Sequence, residues 1–435
     1  MILQVLRNWG SLQSSQWLEG RSLLELQSQR LRKVVSLAYH EVPFYHQLYK
    51  NAGVTPADVR DIKSIRKLPL INKDLLRTVP VEERTAVGTD LTRCRVHTTS
   101  GSTGKTLTLL EDPSSASFRD ALNLRFLWAY GVRPLDRIVS VRNNPAGSIR
   151  PVVRIRDRQG LWGSVTARRV KQLTYTSDLN DHIRLFSKWK PDVLMAQTSY
   201  CRTLAKYSEV SGNRISFRIV VTAGEILDDS TRKVISDSFG AEVYDHYGAE
   251  EVGGTIAWEC PSHGGYHIDA EALLVEFLRK GEPVKAGTAG EVHLTSFCRI
   301  ATPILRYFNG DMATPVDDEC SCGRVLPLIR EIQGRRMDFI LAPDGRDISP
   351  MAVVFAIQYV DGVKQFKVTQ LSDFSIEILV ATDKEAKPVL ADVCSRCKRL
   401  FREIPFQVKL VDKIDNPSGS KFHVVESHLP HQATI

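Results

Sequence analysis

Between residues 17 and 50 apolar side chains recur at near-helical spacing: Leu23, Leu24, Leu26, Leu31, Val34, Val35, Leu37 and Ala38. That period predicts a long amphipathic helix, which Pro43 then kinks or ends. From about 136 to 248 the pattern changes. Apolar runs at 138–141 (IVSV), 192–197 (DVLMAQ), 218–224 (RIVVTAG) and 241–248 (AEVYDHYG) read as buried strands. Helical patterns lie between them at 178–190, 199–211 and 228–239. Strands alternating with helices predict parallel βαβ units, whose loops at the carboxyl ends of the strands hold ligands. Residues 286–311 alternate in the β manner, as in GEVHLTS. A charged and then turn-rich stretch, EIQGRRMDFILAPDGRDISP, follows at 331–350. Beyond it come strand-like runs at 364–369 and 374–381, a helix at 383–403 and a strand at 406–414. The expected fold class is therefore α/β: a large N-terminal domain with parallel sheets, residues 1–336, and a small mobile α+β C-terminal domain, residues 337–435. A large domain followed by a small mobile one suits an enzyme that closes over its substrate.

Composition narrows the class. The chain has 435 residues, 43% hydrophobic and 25% charged. Those values suit a globular enzyme and exclude a disordered, collagen-like or disulfide-stapled chain. No window approaches the roughly 18 apolar residues of a membrane span. The start, MILQVLRNWGS, has neither a charged leader nor a small-residue cleavage pattern, so no export signal and a cytoplasmic location are expected. A net charge of +8 is compatible with anionic partners such as nucleotides, coenzyme A or nucleic acid, and selects none of them. Eight cysteines in such a chain read as reduced thiols. CSRC at 394–397 falls within the helical pattern at 383–403, where i and i+3 share a face, so buried free thiols are expected there.

Residues 98–106 read TTSGSTGKT. Glycines let the backbone turn sharply, and hydroxyls with Lys105 can surround a polyphosphate. The P-loop of kinase-like nucleotidases requires glycine at position 99, where Thr99 stands. Further along come TAGEIL (222–227), YDHYGAEEVGG (244–254), YFNGD (307–311), IQGRR (332–336) and PSGSK (417–421). AYHEVPFYHQLYKNAGV (38–54) and KLPLINKDLLR (67–77) precede the loop. In this order and spacing the segments resemble the adenylate-forming superfamily, and most closely its phenylacetate–coenzyme A ligase-like family, which includes relatives in capsular polysaccharide biosynthesis. The resemblance runs from about residue 30 to 425.

The resemblance implies a two-step reaction. A carboxylate attacks the α-phosphate of ATP, giving an acyl-adenylate and pyrophosphate, and a thiol, most often that of coenzyme A, then displaces AMP. It implies Mg²⁺ as well. Residue by residue, Ser100, Gly101, Ser102, Thr103, Gly104 and Lys105 match the loop that holds the β- and γ-phosphates. Gly224 and Glu225 match the segment lining the adenine pocket. Tyr247 matches the aromatic residue that packs on adenine, and Asp245 and His246 precede it in the same expected nucleotide-binding segment. Glu251 matches the acidic Mg²⁺ ligand; Asp311 and Arg335 match the residues that bond the ribose hydroxyls. Lys421 matches the catalytic lysine that bridges α-phosphate and carboxylate. PSGSK departs from the usual pattern by one residue between Gly419 and Lys421, and Met337 and Asp338 stand where the hinge acid is expected. Two alternatives accompany the acid–coenzyme A ligase reading. One is an adenylating enzyme that ends in an amide, ester or carrier-bound thioester. The other is an inactive nucleotide-binding scaffold, against which the phosphate loop, Glu251, Asp311 and Arg335 count. A small carboxylic acid is the expected partner, with a carrier protein as an option; a dimer is not excluded by anything in the sequence.

Two further groups stand apart. CPSH (260–263) and CSC (320–322) offer Cys260, His263, Cys320 and Cys322, a soft four-ligand set suited to structural Zn²⁺; His267 competes for the histidine position. Residues 142–171 carry Arg142, Arg150, Arg154, Arg156, Arg158, Arg168, Arg169 and Lys171 against Asp157 alone. Beside an acyl pocket such a stretch would take an anionic acyl substrate, coenzyme A or a carrier's phosphopantetheine; a solvated loop is the plain alternative. It lacks interleaved aromatics, so nucleic acid is not expected.

Overall fold

The computed structural model describes residues 2–99, 107–142, 169–175, 178–335, 338–344, 346–358, 360–382, 384–414 and 424–429. The chain opens with helix α1 (Ile2–Ser15), which the sequence pattern did not reveal. The apolar stripe of residues 17–50 becomes two helices, α2 (Gly20–Glu41) and α3 (Pro43–Asn51). Proline excludes the residue before it from helical angles. Val42 is accordingly extended, and Pro43 begins the next helix, where its missing N–H costs nothing. A short helix α4 (Lys73–Thr78) follows, capped by the Asn72 side chain, which accepts from the Leu75 N–H.

Strands β1 (Arg95–Thr99) and β2 (Leu107–Glu111) form an antiparallel hairpin. Helix α5 (Pro113–Ala129) comes next. Its cap is legible: Asp112 accepts from the N–H groups of Ser114 and Ser115, and Pro113 occupies the first turn.

The expected βαβ region is present. Strands β3 (Ile138–Arg142), β4 (Val170–Thr174), β5 (Val193–Ala196), β6 (Ile219–Ala223) and β7 (Glu242–Ala249) run parallel in the order β4-β3-β5-β6-β7. Helices α6 (Leu179–Trp189), α7 (Thr198–Ser211) and α8 (Asp229–Phe239) connect them. The core between sheet and helices is apolar, with Val139, Leu194, Val220 and Val243 packed among Ile183, Phe186, Leu204, Ile235 and Phe239. Beyond β7 the sheet turns antiparallel through β8 (Gly254–Glu259) and β9 (Tyr266–Ile268). It continues through β10 (Leu273–Arg279), β11 (Gly290–Ser296), β12 (Tyr307–Val316) and β13 (Leu328–Arg335). With two short edge strands, 13 strands share this sheet among the described residues.

Two compact units result. The first comprises Met1–Leu278, Pro283–Asn309 and Thr314–Glu331; the second comprises Arg279–Glu282, Gly310–Ala313 and Ile332–Ile435. The second has its own sheet of β14 (Val363–Gln370), β15 (Ile376–Thr382), β16 (Phe406–Leu410) and β17 (Val425–Ser427), ordered β16-β15-β14-β17. Helices α9 (Pro350–Gln358) and α10 (Ala386–Phe401) belong to it, and Val368, Ile378, Val393, Cys397 and Phe401 lie in its core. Cys394 and Cys397 are free thiols on α10, and burial pushes Cys397 up to about 12.

Within the first unit a buried polar knot joins the N-terminal helices to the sheet. Arg125 on α5 is fully buried and pairs with Asp269 and, at 2.8 Å, with Glu271. Ser15 at the end of α1 donates to Glu271 (2.6 Å), Gln27 on α2 donates to the Ala270 carbonyl (3.0 Å), and Trp258 donates to Asp269 (2.8 Å).

Candidate functional site

In a parallel sheet, ligands gather at the carboxyl ends of the strands. There β6 gives way to Gly224, whose φ of +80° suits glycine, and then to Glu225. The Glu225 carboxylate accepts from the Ser199 N–H (2.7 Å) and hydroxyl (3.0 Å) at the start of α7. It thus caps a helix while sitting where the adenine pocket is expected.

Strand β7 carries the YDHYG segment. Asp245 is buried. Its Oδ1 accepts from the Thr222 hydroxyl (2.6 Å) and its Oδ2 from the Tyr266 hydroxyl (2.8 Å). Burial, with Glu259 nearby, pushes its carboxyl up to about 6. Both Asp245 oxygens thus serve as struts between β6, β7 and β9. His246 is half-buried. Its Nε2 lies 3.1 Å from the Thr255 hydroxyl, its ring packs on Phe126, and burial, followed by the Arg142 charge, lowers it to about 4. It is a neutral imidazole at physiological pH. The Tyr247 hydroxyl accepts from Asn309 (2.8 Å). The strand bulges between Tyr247 and Gly248, and a Cβ at Gly248 would come within 2.5 Å of the Gly254 carbonyl oxygen. Glycine is therefore required here so that the next turn, Glu250–Val252, can fold back.

That turn presents Glu251. Its Oε1 receives the Lys73 ammonium at 3.3 Å and the Tyr307 hydroxyl at 3.2 Å, and its side chain is 12% exposed. Lys73 stands at the first position of α4. Sequence reasoning did not single it out, although it lies inside KLPLINKDLLR. Its neighbour Glu250 turns the other way, with an oxygen 3.4 Å from His97 on β1. Thus the hairpin that flanks the Ser/Thr/Gly segment and the turn that bears Glu251 adjoin. Ser100, Gly101, Ser102, Thr103, Gly104, Lys105 and Lys421 themselves lie outside the described residues. Asp311 lies half-buried on β12, and Arg335 ends β13, also half-buried.

A second group of side chains collects at the far end of β8. Cys260, His267, Cys320 and Cys322 place one donor atom each within 4.8 Å of one another. Cys260 and Cys320 sulfurs are 3.5 Å apart, and the Cys322 sulfur is 3.2 Å from His267 Nε2. Burial pushes Cys320 up to about 12 and His267 down to about 4. Burial also opposes ionisation of Cys322, but N–H donation from Arg324 outweighs it and lowers that thiol. The ligand set read from sequence needs one correction: His267 replaces His263. The reason is geometric. His263 has φ +48°, which turns its ring toward Glu242 (2.9 Å) and Glu259 (3.6 Å) and stacks it on Tyr244. His267 sits on β9 facing the two-cysteine turn.

The basic stretch also divides. Arg142 ends β3 at the ligand edge and donates to Ser140 (3.1 Å). Arg169 precedes β4 at the opposite edge and donates to the Leu135 carbonyl, while Lys171 lies over the Trp189 ring. The intervening cations lie outside the described residues. Arg169 therefore does not border the expected acyl pocket.

No family model matches the chain. The phenylacetate–coenzyme A ligase of Thermus thermophilus is 28% identical over 337 residues, 73% of this chain and 72% of that protein. Protein CapK of Staphylococcus aureus is 23% identical, over 93% of this chain and 89% of that protein. A solved 2-hydroxyisobutyryl-CoA ligase in its postadenylation state superimposes with a TM-score of 0.80 at 18% identity, covering 95% of this chain and 91% of that one. The chain is similar over most of its length to phenylacetate–coenzyme A ligases. Its mixed α/β fold, with a separate smaller C-terminal sheet, is that of the adenylate-forming enzymes. No described helix is long and apolar enough to cross a membrane.

Proposed function

We propose that this protein is an AMP-forming acid–thiol ligase that activates a carboxylic acid with ATP and passes the acyl group to coenzyme A. A carboxylate oxygen of the acid attacks the α-phosphorus, and pyrophosphate leaves. The thiol sulfur then attacks the acyl carbon, the acyl–oxygen bond breaks, and AMP leaves; the thiol proton passes to solvent or a base. The observation that carries the reading is the meeting of the β1–β2 hairpin with the Glu250–Val252 turn at the carboxyl edge of the parallel strands. This meeting supports the reading because the two strands of that hairpin flank the segment read as the polyphosphate cradle.

On this reading Glu251 holds Mg²⁺, a hard cation that favours carboxylate oxygen and neutralises charge on the polyphosphate. Lys73 offsets the Glu251 charge when no metal is there. Neutral His246 and buried Tyr247 would line the nucleotide side. Asp311 and Arg335 would bond the ribose, and Lys421 would bridge α-phosphate and carboxylate. A structural Zn²⁺ fits Cys260, His267, Cys320 and Cys322: four soft donors with no disulfide among them and no open position in the set. The reading places the enzyme in the cytoplasm, with a small-molecule acid and coenzyme A as its partners.

The test is pyrophosphate release from ATP with a panel of carboxylic acids. Release should require an acid, and Lys421→Ala should lower it by roughly 10²–10³ through loss of a preorganised charge. Release independent of every acid would refute the reading.

A further inference from the structure

Two straps join the β1–β2 hairpin to the turn that bears Glu251. The first is Arg299, almost fully buried. It donates to the Leu110 carbonyl on β2 (3.0 Å) and to the Glu250 carbonyl (3.2 Å), and so fixes backbone to backbone. The second is His97 on β1. Its Nε2 lies 3.2 Å from Glu111 and its Nδ1 lies 3.4 Å from Glu250. Glu111 is a firm anchor. It is buried, Arg119 reaches both its oxygens at 2.6 Å, and Arg95 stands 3.7 Å away. Glu250 is not: its side chain is 59% exposed.

We propose that His97 is a positioning residue for the nucleotide-dependent half-reaction, tying the strand that leads into the phosphate loop to the side chain next to Glu251. The inference rests on the adenylating reading of the site and deepens it. A contact to so exposed a carboxylate adds little to folding stability. Its consequence is positional. His97 stands two residues before Thr99, where the described part of the hairpin ends, and Glu250 adjoins Glu251. A side chain held at both ends fixes the separation of the two elements between which a triphosphate would lie. The imidazole has a carboxylate at each nitrogen, an arrangement that favours the doubly protonated, cationic ring. Hydrogen bonding to Glu111, then to Glu250, raises its pKa against the effect of burial. That charge offsets two carboxylates close to where an incoming polyphosphate must be tolerated. A neutral imidazole could donate to only one of the two.

Binding of Mg·ATP and of AMP to the full-length protein, measured by titration calorimetry, tests this without knowledge of the acid. AMP has the adenosine and one phosphate but nothing to span the loop and Glu251. His97→Ala should weaken Mg·ATP binding by roughly 10- to 100-fold, the worth of a lost charge-assisted contact, and leave AMP binding within about twofold. Glu250→Gln cuts the strap at its exposed end, where folding is not at stake, and should show the same selective loss. The double variant should lose little more than either single one, because both break one connection. Variants that weaken both nucleotides equally, or neither, would overturn the positioning role. A wild-type protein that binds neither nucleotide would instead overturn the adenylating reading.

Discussion

Replacing Glu251 by Gln keeps the shape of the side chain and the bond from Tyr307 but removes the charge that Lys73 faces at 3.3 Å. Adenylation should fall by about 10²–10³, the usual cost of losing one preorganised electrostatic group. Thioester formation from a supplied acyl-adenylate should be spared; equal loss in both halves would contradict the role. Asp245 gives a pH test. Its folded pKa of about 6 lies above the unfolded value of 3.8, so the protonated form favours folding. Its contribution is present below about pH 4 and lost as pH rises through about 6. Asp245→Asn removes that dependence, so the variant should gain stability relative to wild type between pH 4 and 7, read as the difference in Tm. A flat difference would contradict the assignment. At this scale the sequence was partly legible. Tyr247, Gly248 and Glu251 stand together in one motif, and their placement follows from it. The motif does not reveal that Asp245 bonds Thr222 and Tyr266, and Lys73 and His97 do not stand out in it because their partners lie at residues 251 and 250.

At the scale of elements, the join between the N-terminal helices and the sheet depends on Arg125. Removing it strands Asp269 and Glu271 as buried, unpaired acids. Arg125→Ala should cost about 3–5 kcal/mol, measurable by urea denaturation; a loss below about 1 kcal/mol would show the acids to be compensated otherwise. The cysteine turn gives a second test. Purified protein should hold about one zinc per chain. Cys320→Ser and His267→Ala should lower zinc content and thermal stability together, since metal binding contributes directly to folding, whereas His263→Ala should leave zinc in place. Zinc lost with His263 and retained without His267 would reverse the assignment. The βαβ strands and helices were legible because each buried strand is a short apolar run and each helix has a periodic face. Helix α1 and the β1–β2 hairpin were not. Helix α1 buries Leu12 but leaves Ile2, Leu3 and Leu6 exposed, so no buried stripe marks it, and the hairpin carries charged residues that pair with one another.

For the whole molecule, the order of segments along the chain told more than any single one. The fold and family followed from that order, while charge was a poor guide. Eight cations between 142 and 171 look like one patch in sequence. Yet Arg142 ends one strand at the ligand edge and Arg169 begins its neighbour at the other, because a parallel crossover returns the chain to the opposite side of the sheet. The central claim, that an acyl-adenylate forms on this scaffold, concerns the fate of one oxygen atom. With an acid that supports pyrophosphate release, both carboxylate oxygens can be labelled with ¹⁸O and the reaction run with ATP and coenzyme A. If the carboxylate attacks the α-phosphorus and the thiol then attacks the acyl carbon, one label must leave on AMP, and mass spectrometry of the product AMP will show it. Label in inorganic phosphate instead, with ADP as the nucleotide product, would contradict the account.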